Sequence, residues 1–325
     1  MTKWLAAIVL VFSLVVTSCE ELIPGDAFVF SSVATPDHLS RAALVSFVTN
    51  NKAYILTGRT QTGTPLDCWE YDPVGGEWSE RAVFPGMYRV NAVAEVVGRF
   101  AYVGLGFEAQ SEAYREEAQL NDWWRYDPET NSWMQLASLP STDTNGCISF
   151  VYNNIIYVGF GFDGWAFKRS MWCYEPLTDS WTRLKDAPMR YRAGAVACSN
   201  GDRVFFGTGF DTTNKNDWWE YFPETDSWEE RCSMPDKGRN FGLSFSVGKR
   251  IFVSTGQFFK SELDGGHLKA DVVEYDVDND QWISRGQLPA SGRMNATAFV
   301  IDDELYIGFG EDETTVLGDL WKCRP

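Results

Sequence analysis

The chain has 325 residues, a formal net charge of −17 and 44% apolar residues, with 14 Trp, 13 Tyr, 22 Phe and 28 Gly. An acidic surface cannot replace the counterions of nucleic acid, and it gains nothing from anionic headgroups, so the charge argues against both as electrostatic partners. Aromatic and glycine enrichment beside short apolar runs points to an all-β repeat fold, and the length admits one large domain.

The first element is a targeting segment. Lys3 is its positive region, and residues 4–16 (WLAAIVLVFSLVV) are its apolar region, 13 residues long. That is too short to span a bilayer, which takes ~20. The segment ends in Val16-Thr17-Ser18-Cys19, a run that resembles the bacterial lipobox. The resemblance implies a lipoprotein signal peptide over 1–18, lipidation of Cys19 and a short tether over 19–26. An ordinary signal peptide with an incidental cysteine is the alternative. Glu20-Glu21 resemble surface-export signals of Gram-negative lipoproteins. The protein is therefore expected to be exported, at the bacterial outer membrane or cell surface or facing the periplasm. The membrane would hold it through lipid alone.

The other cysteines, Cys68, Cys147, Cys173, Cys198, Cys232 and Cys323, show no CxxC spacing, and the chain has only two His. Neither a zinc site nor any other metal or cofactor is expected; in an exported protein some of the thiols could pair, and otherwise they read as small buried apolar groups.

From residue 27 onward the chain repeats. NDWWRYDPETNSW (121–133) recurs at 67–78, 170–181, 216–228 and 271–282. A Tyr stands seven residues before a Trp in each copy: Tyr71/Trp78, Tyr126/Trp133, Tyr174/Trp181, Tyr221/Trp228 and Tyr275/Trp282. Seven residues later comes Pro85, Pro140, Pro188, Pro235 or Pro289. A second half-repeat precedes each copy. Arg41, Arg89, Arg192, Arg239 and Arg293 each lie 17 residues before a Gly (58, 106, 209, 256, 310), and Thr144 takes the Arg position before Gly161.

Between these markers two apolar runs flank a tight polar turn such as Asn50-Asn51, Asn153-Asn154 or Asp302-Asp303. That is a hairpin signal. The second strands (AYILTG, AYVGLG, IYVGFG, VFFGTG, IFVSTG, LYIGFG) are apolar at successive positions, as strands covered on both faces must be. Each unit is thus a four-stranded antiparallel sheet of ~50 residues.

The Gly-rich end of the second strand, the Tyr and the following Trp make residues 27–325 resemble the Kelch family, with Gly-x-Gly where most Kelch repeats have Gly-Gly. The resemblance implies a six-bladed Kelch-type β-propeller. The sixth unit stops at Pro325 without its Trp strand, leaving an edge that a propeller must cover. Residues 27–36 (AFVFSSVATP) put Val29 seven residues before Pro36, so this N-terminal strand is expected to close the last blade with Val29 in the Trp position.

By propeller symmetry the five Arg sit at one mouth of the central channel. Two readings stand. One is a ligand-binding crown for an anion, since guanidinium grips carboxylate bidentately. The other is pairing with blade acids such as Asp122, Asp217 or Asp319. The loops after Gly106 and Gly256 are longer than the rest; Glu108 and Glu262 join the Arg set as candidate ligand contacts, and Glu108, Glu112 or Glu262 could do acid–base work beside it. Loop 257–270 also holds Phe258, Phe259, Asp264 and His267.

No nucleophile motif or nucleotide loop is present, and His38 and His267 are too far apart in sequence to serve a copper radical oxidase. The leading expectation is a non-catalytic recognition propeller for a glycan, an acidic small molecule or a protein partner. The alternatives are an acidic-sugar isomerase, because sialic-acid epimerases are exported Kelch propellers of this size, and a scaffold lipoprotein.

Overall fold

The computed structural model describes residues 21–108, 118–142, 145–259 and 266–325. Cys19, Glu112, Thr144, Glu262 and Asp264 lie outside the described residues.

Six sheets are arranged as propeller blades, each built outward from an innermost strand. These are Val45–Thr49, Val93–Val97, Ile148–Tyr152, Val196–Ser199, Leu243–Val247 and Thr297–Ile301. In blade 1 the order continues through Lys52–Leu56, Cys68–Asp72 and Glu77–Arg81, every pair antiparallel. Hairpin turns at Asn50-Asn51, Asn153-Asn154 and Asp302-Asp303 hold both central residues at positive φ, from 49° to 62°. Asn and Asp tolerate that region best among non-glycine residues, and the primed turn it forms matches strand twist. The second strands are buried at nearly every position because each is sandwiched between neighbouring sheets.

The repeat's aromatics join the blades. Tyr126 stacks at a tilt on Trp133, ring centroids 4.8 Å apart, and donates its hydroxyl to Asn131 Oδ1 at 2.8 Å. The same oxygen accepts the backbone N–H of Ala82 in the preceding blade, whose carbonyl takes the Trp133 indole N–H at 3.0 Å. Trp181 with Ala137 and Trp282 with Cys232 repeat the contact. An indole N–H buried at a seam needs such an acceptor.

The channel mouth is stitched by backbone. Ala43, Asn91, Gly146, Gly194, Phe241 and Asn295 occupy equivalent positions, all with φ between 49° and 63°. This left-handed turn aims each N–H at the neighbouring blade. Five links of 2.8–3.2 Å are seen: Asn91 to Ala43, Gly194 to Gly146, Phe241 to Gly194, Asn295 to Phe241 and Ala43 to Asn295. The last joins blade 6 to blade 1 exactly as its siblings join theirs.

Ser31–Val33 closes the last blade against Leu320–Cys323, with Ser32 opposite Trp321. The expected closing strand is therefore present, but its register differs by one residue. In blade 1 Glu80 faces Trp69 and Trp78 lies two residues before it, so the counterpart of Trp78 is Phe30. Val29 is 88% exposed, while Phe30 packs on a cluster that includes Leu305, Ile307 and Trp321. A one-residue slip reverses every side chain, and burying the aromatic decides the register. Trp78 completes the seam by donating to the Ala34 carbonyl at 3.4 Å.

Part of the short tether expected over 19–26 lies against blade 5. Ile23–Pro24 adds a parallel fifth strand to blade 5 by pairing with Ile283 and Ser284.

Candidate functional site at the channel mouth

Each of the five repeated arginines lies inside its blade, at most 1% exposed. Arg89 binds Asp122 bidentately at 2.8 and 2.7 Å and donates to the carbonyls of Leu105 and Met87. Arg192 does the same with Asp217, Thr208 and Arg190. Arg41–Asp67, Arg239–Asp271 and Arg293–Asp319 repeat the pair. In four of the five the carboxylate is held further by an indole N–H two residues on, as Trp124 holds Asp122 at 2.6 Å; blade 5 has Val273 there. Burial by itself raises the Asp67, Asp122 and Asp319 carboxyls, but the paired guanidinium outweighs it and holds them below the usual range.

Guanidinium groups spent and desolvated in this way have little to offer a ligand. The expected binding crown of Arg41, Arg89, Arg192, Arg239 and Arg293 is thus corrected to a set of internal clamps, tying the entry of each first strand to the start of the third. Blade 3 has Thr144 and Ser170 at these two positions, so charge and countercharge are lost together and neither is left buried alone.

The residue after each closing Gly, at the mouth end of its blade, is Arg59, Phe107, Phe162, Phe210, Gln257 or Glu311. Each forms an isolated bridge to the linker entering a first strand, as Ala42 to Arg59 and Met294 to Glu311. This position divides the mouth in two. On the seam of blades 1 and 6, Arg59 ion-pairs with Glu311, whose other oxygen accepts Asn295 Nδ2 at 2.7 Å. Glu311 is 6% exposed at its side chain and Arg59 is 45% exposed, so the acid is fixed and the cation keeps donors in solvent.

Across the opening, blades 3 to 5 present aromatics. Phe162 and Phe167 lie 5.2 Å apart, Phe167 and Phe210 6.2 Å, Phe210 and Phe259 5.8 Å. Trp165 stands 60% exposed beside them.

Blade 4 adds a second charged group. Asp211 is buried and binds Arg190 at 2.8 Å and Lys215 at 2.7 Å. Burial raises its carboxyl, but Lys215 and the N–H groups of Thr212 and Thr213 hold it far below the ordinary range. Asn240 Oδ1 and both ends of the Gln119 amide are buried with no protein partner among the described residues, which leaves unspent hydrogen-bonding groups near the opening.

Below this rim the left-handed turns narrow the channel to a cavity of about 120 Å³. Small-molecule pockets run to ~300 Å³ or more, so the neck is too small for a ligand of sugar size. Of the other expected contacts, Glu108 lies half-buried just after Phe107 and Glu262 is outside the described residues. The sequence signal that would have found Arg59 and Glu311 is their place after Gly58 and Gly310, the one position in the repeat that breaks from an aromatic to opposite charges on adjoining blades.

Residues 48–256 match the family model of the KLHDC2/KLHL20/DRC7 Kelch-repeats domain. The chain is similar to the N-acetylneuraminate epimerases of Shigella sonnei (strain Ss046), 33% identical over 115 residues, and Escherichia coli O157:H7, 32% over 114. Each match covers 35% of this chain and 30% of the relative's length. The solved structure of YjhT superposes with a TM-score of 0.74 at 20% identity, covering 88% of this chain and 95% of the other. That likeness concerns the fold. Repeat, blade architecture and family match agree: the chain belongs to the Kelch-repeat family and folds as its six-bladed β-propeller.

Proposed function

We propose that the protein binds an acidic sugar of the sialic-acid type on the rim of the channel mouth. The observation that carries this reading is the divided rim. A half-exposed Arg59, fixed by Glu311, stands opposite a wall of Phe and Trp rings. A sugar acid needs both sides, a bidentate cation for its carboxylate and an apolar surface for its C–H face. The partial similarity to N-acetylneuraminate epimerases supports the same ligand class. Titration calorimetry with N-acetylneuraminate against the neutral N-acetylglucosamine tests it. Selective heat with the acidic sugar is expected, and equal or absent heats overturn the proposal.

A second reading, favoured by that similarity, is catalysis of anomer exchange. Ring opening needs a base to take the proton of the anomeric hydroxyl as the bond from C2 to the ring oxygen breaks, and an acid to protonate that ring oxygen. Glu311 is the rim carboxylate that would take the first role. Magnetisation-transfer NMR between the two anomers, with and without protein, separates an enzyme from a binder.

The reading also includes a lipid on Cys19. Intact mass of membrane-extracted protein checks it. A chain starting at Cys19 with a diacylglyceryl adduct is expected, and a Cys19 carrying a free or disulfide-bonded thiol overturns it.

A further inference from the structure

The six innermost strands use the same register, and their third residue pairs across to an aromatic of the second strand. That residue is Phe47 opposite Tyr54, Phe150 opposite Tyr157, Phe245 opposite Phe252 and Phe299 opposite Tyr306. Blade 4 has Cys198 there. Blade 2 has Glu95, opposite Tyr102. The fold accepts Phe at this place four times over, so an acid is not what the blade requires.

Glu95, half-buried on the channel wall, also differs from four of the buried acids. Glu70, Glu220, Glu274 and Asp211 each bind two cationic side chains. Glu95 accepts the Ser149 hydroxyl at 2.6 Å and pairs with no cation among the described residues. It borders a cavity of about 320 Å³ in the half of the channel away from the mouth, whose wall includes Ser199, Ser244 and Ser246. Ser244 and Ser246 donate their protons to the carbonyls of Ala197 and Ser199, each at 2.9 Å. Their oxygens are thereby left as acceptors. The cavity is roughly ten times the ~30 Å³ share of one water, so an ion and part of its hydration shell fit. One carboxylate among neutral oxygens is a hard donor set carrying a single negative charge, which suits a monovalent ion better than a divalent one.

We infer that Glu95, Ser149, Ser244 and Ser246 form a site for an alkali cation, Na⁺ or K⁺, inside the propeller channel. The ion supplies the positive charge that an arginine or lysine supplies to Glu70, Glu220, Glu274 and Asp211. This site is independent of the rim and stands or falls separately from the sugar.

The test is thermal unfolding of the full chain at pH 8, with choline chloride exchanged for NaCl or KCl at constant ionic strength. A saturable rise of roughly 2–5 °C in Tm is expected with at least one of the two ions, by mass action on the folded state. Glu95→Gln keeps the shape and Glu95→Phe copies the other blades, so both should fold, and neither should respond to the exchange. Broadening of the ²³Na resonance by the wild type, absent in both variants, gives a direct readout. An equal response in wild type and Glu95→Gln, or no response to either ion, overturns the site. Stabilisation by methylammonium alone replaces the alkali ion with an organic amine and overturns this assignment.

Discussion

Arg59 of the first blade and Glu311 of the last form an ion pair across the seam where the ring closes. The two residues are 252 positions apart in the chain. Only closure of the circle makes them neighbours, and closure depends on Ser31–Val33 filling the last blade. The rim chemistry and the ring's integrity are thus one structural event.

Arg59→Ala should weaken binding of N-acetylneuraminate about 10- to 100-fold, the cost of a charge-assisted contact of 1.5–3 kcal/mol. Circular dichroism should hold, and Tm should fall modestly because the buried Glu311 carboxylate loses its cation and keeps only the Asn295 amide. Calorimetry of the variant checks this. Unchanged affinity would move the ligand off this side of the rim.

The internal clamps make a different prediction. Arg192→Thr leaves the Asp217 carboxylate without its guanidinium and should cost roughly 3–5 kcal/mol. The double change Arg192→Thr with Asp217→Ser reproduces the residue types that blade 3 carries at Thr144 and Ser170. It should recover a measurable part of that loss. Urea denaturation of the two single variants and the double variant gives the coupling energy. Additive losses would mean that the pair carries no coupling.

The register of the closing strand is open to a simple comparison. Phe30→Ala removes an aromatic packed on the core side of blade 6 and should cost about 1–3 kcal/mol. Val29→Ala touches an exposed side chain and should stay within about 0.5 kcal/mol. The reverse order in chemical denaturation would restore the register that the Pro36 spacing predicts.

Glu95 should leave a signature in the pH dependence of stability. Burial pushes its carboxyl up to about 7 from an ordinary 4.5, with the Ser149 hydroxyl only partly opposing. The folded state therefore holds this proton more tightly than the unfolded chain. The associated stability is complete below about pH 4.5 and is lost as pH rises through 7. The other titratable groups at this place are Tyr102, which burial raises, and Cys198, pushed up to about 12. Neither ionises in the window. In choline buffer Glu95→Gln should match wild type near pH 5 and exceed it by about 1–3 kcal/mol at pH 8. Parallel curves for the two proteins would place the acid in ordinary solvent.

The sequence by itself determined the repeat, the blade count, the four-strand plan and the need for a borrowed closing strand. All of these follow from local rules. Hairpin turns, apolar runs and the Tyr-to-Trp spacing are set by neighbours along the chain, and five or six copies repeat the same message. The tertiary structure decided what the conspicuous residues do. The arginines look like a crown because their spacing is constant, yet the Asp partners follow at 25 to 33 residues, a distance that varies with loop length and so carries no visible period. Whether such a charge meets solvent or a carboxylate depends on which strands lie side by side. The same holds for the closing strand, where spacing from Pro36 favoured Val29 and packing placed Phe30 inside. Arg59 and Glu311 became partners for that reason too. Contact between distant segments is fixed by burying surface and pairing charge in three dimensions, and no interval along one dimension records it.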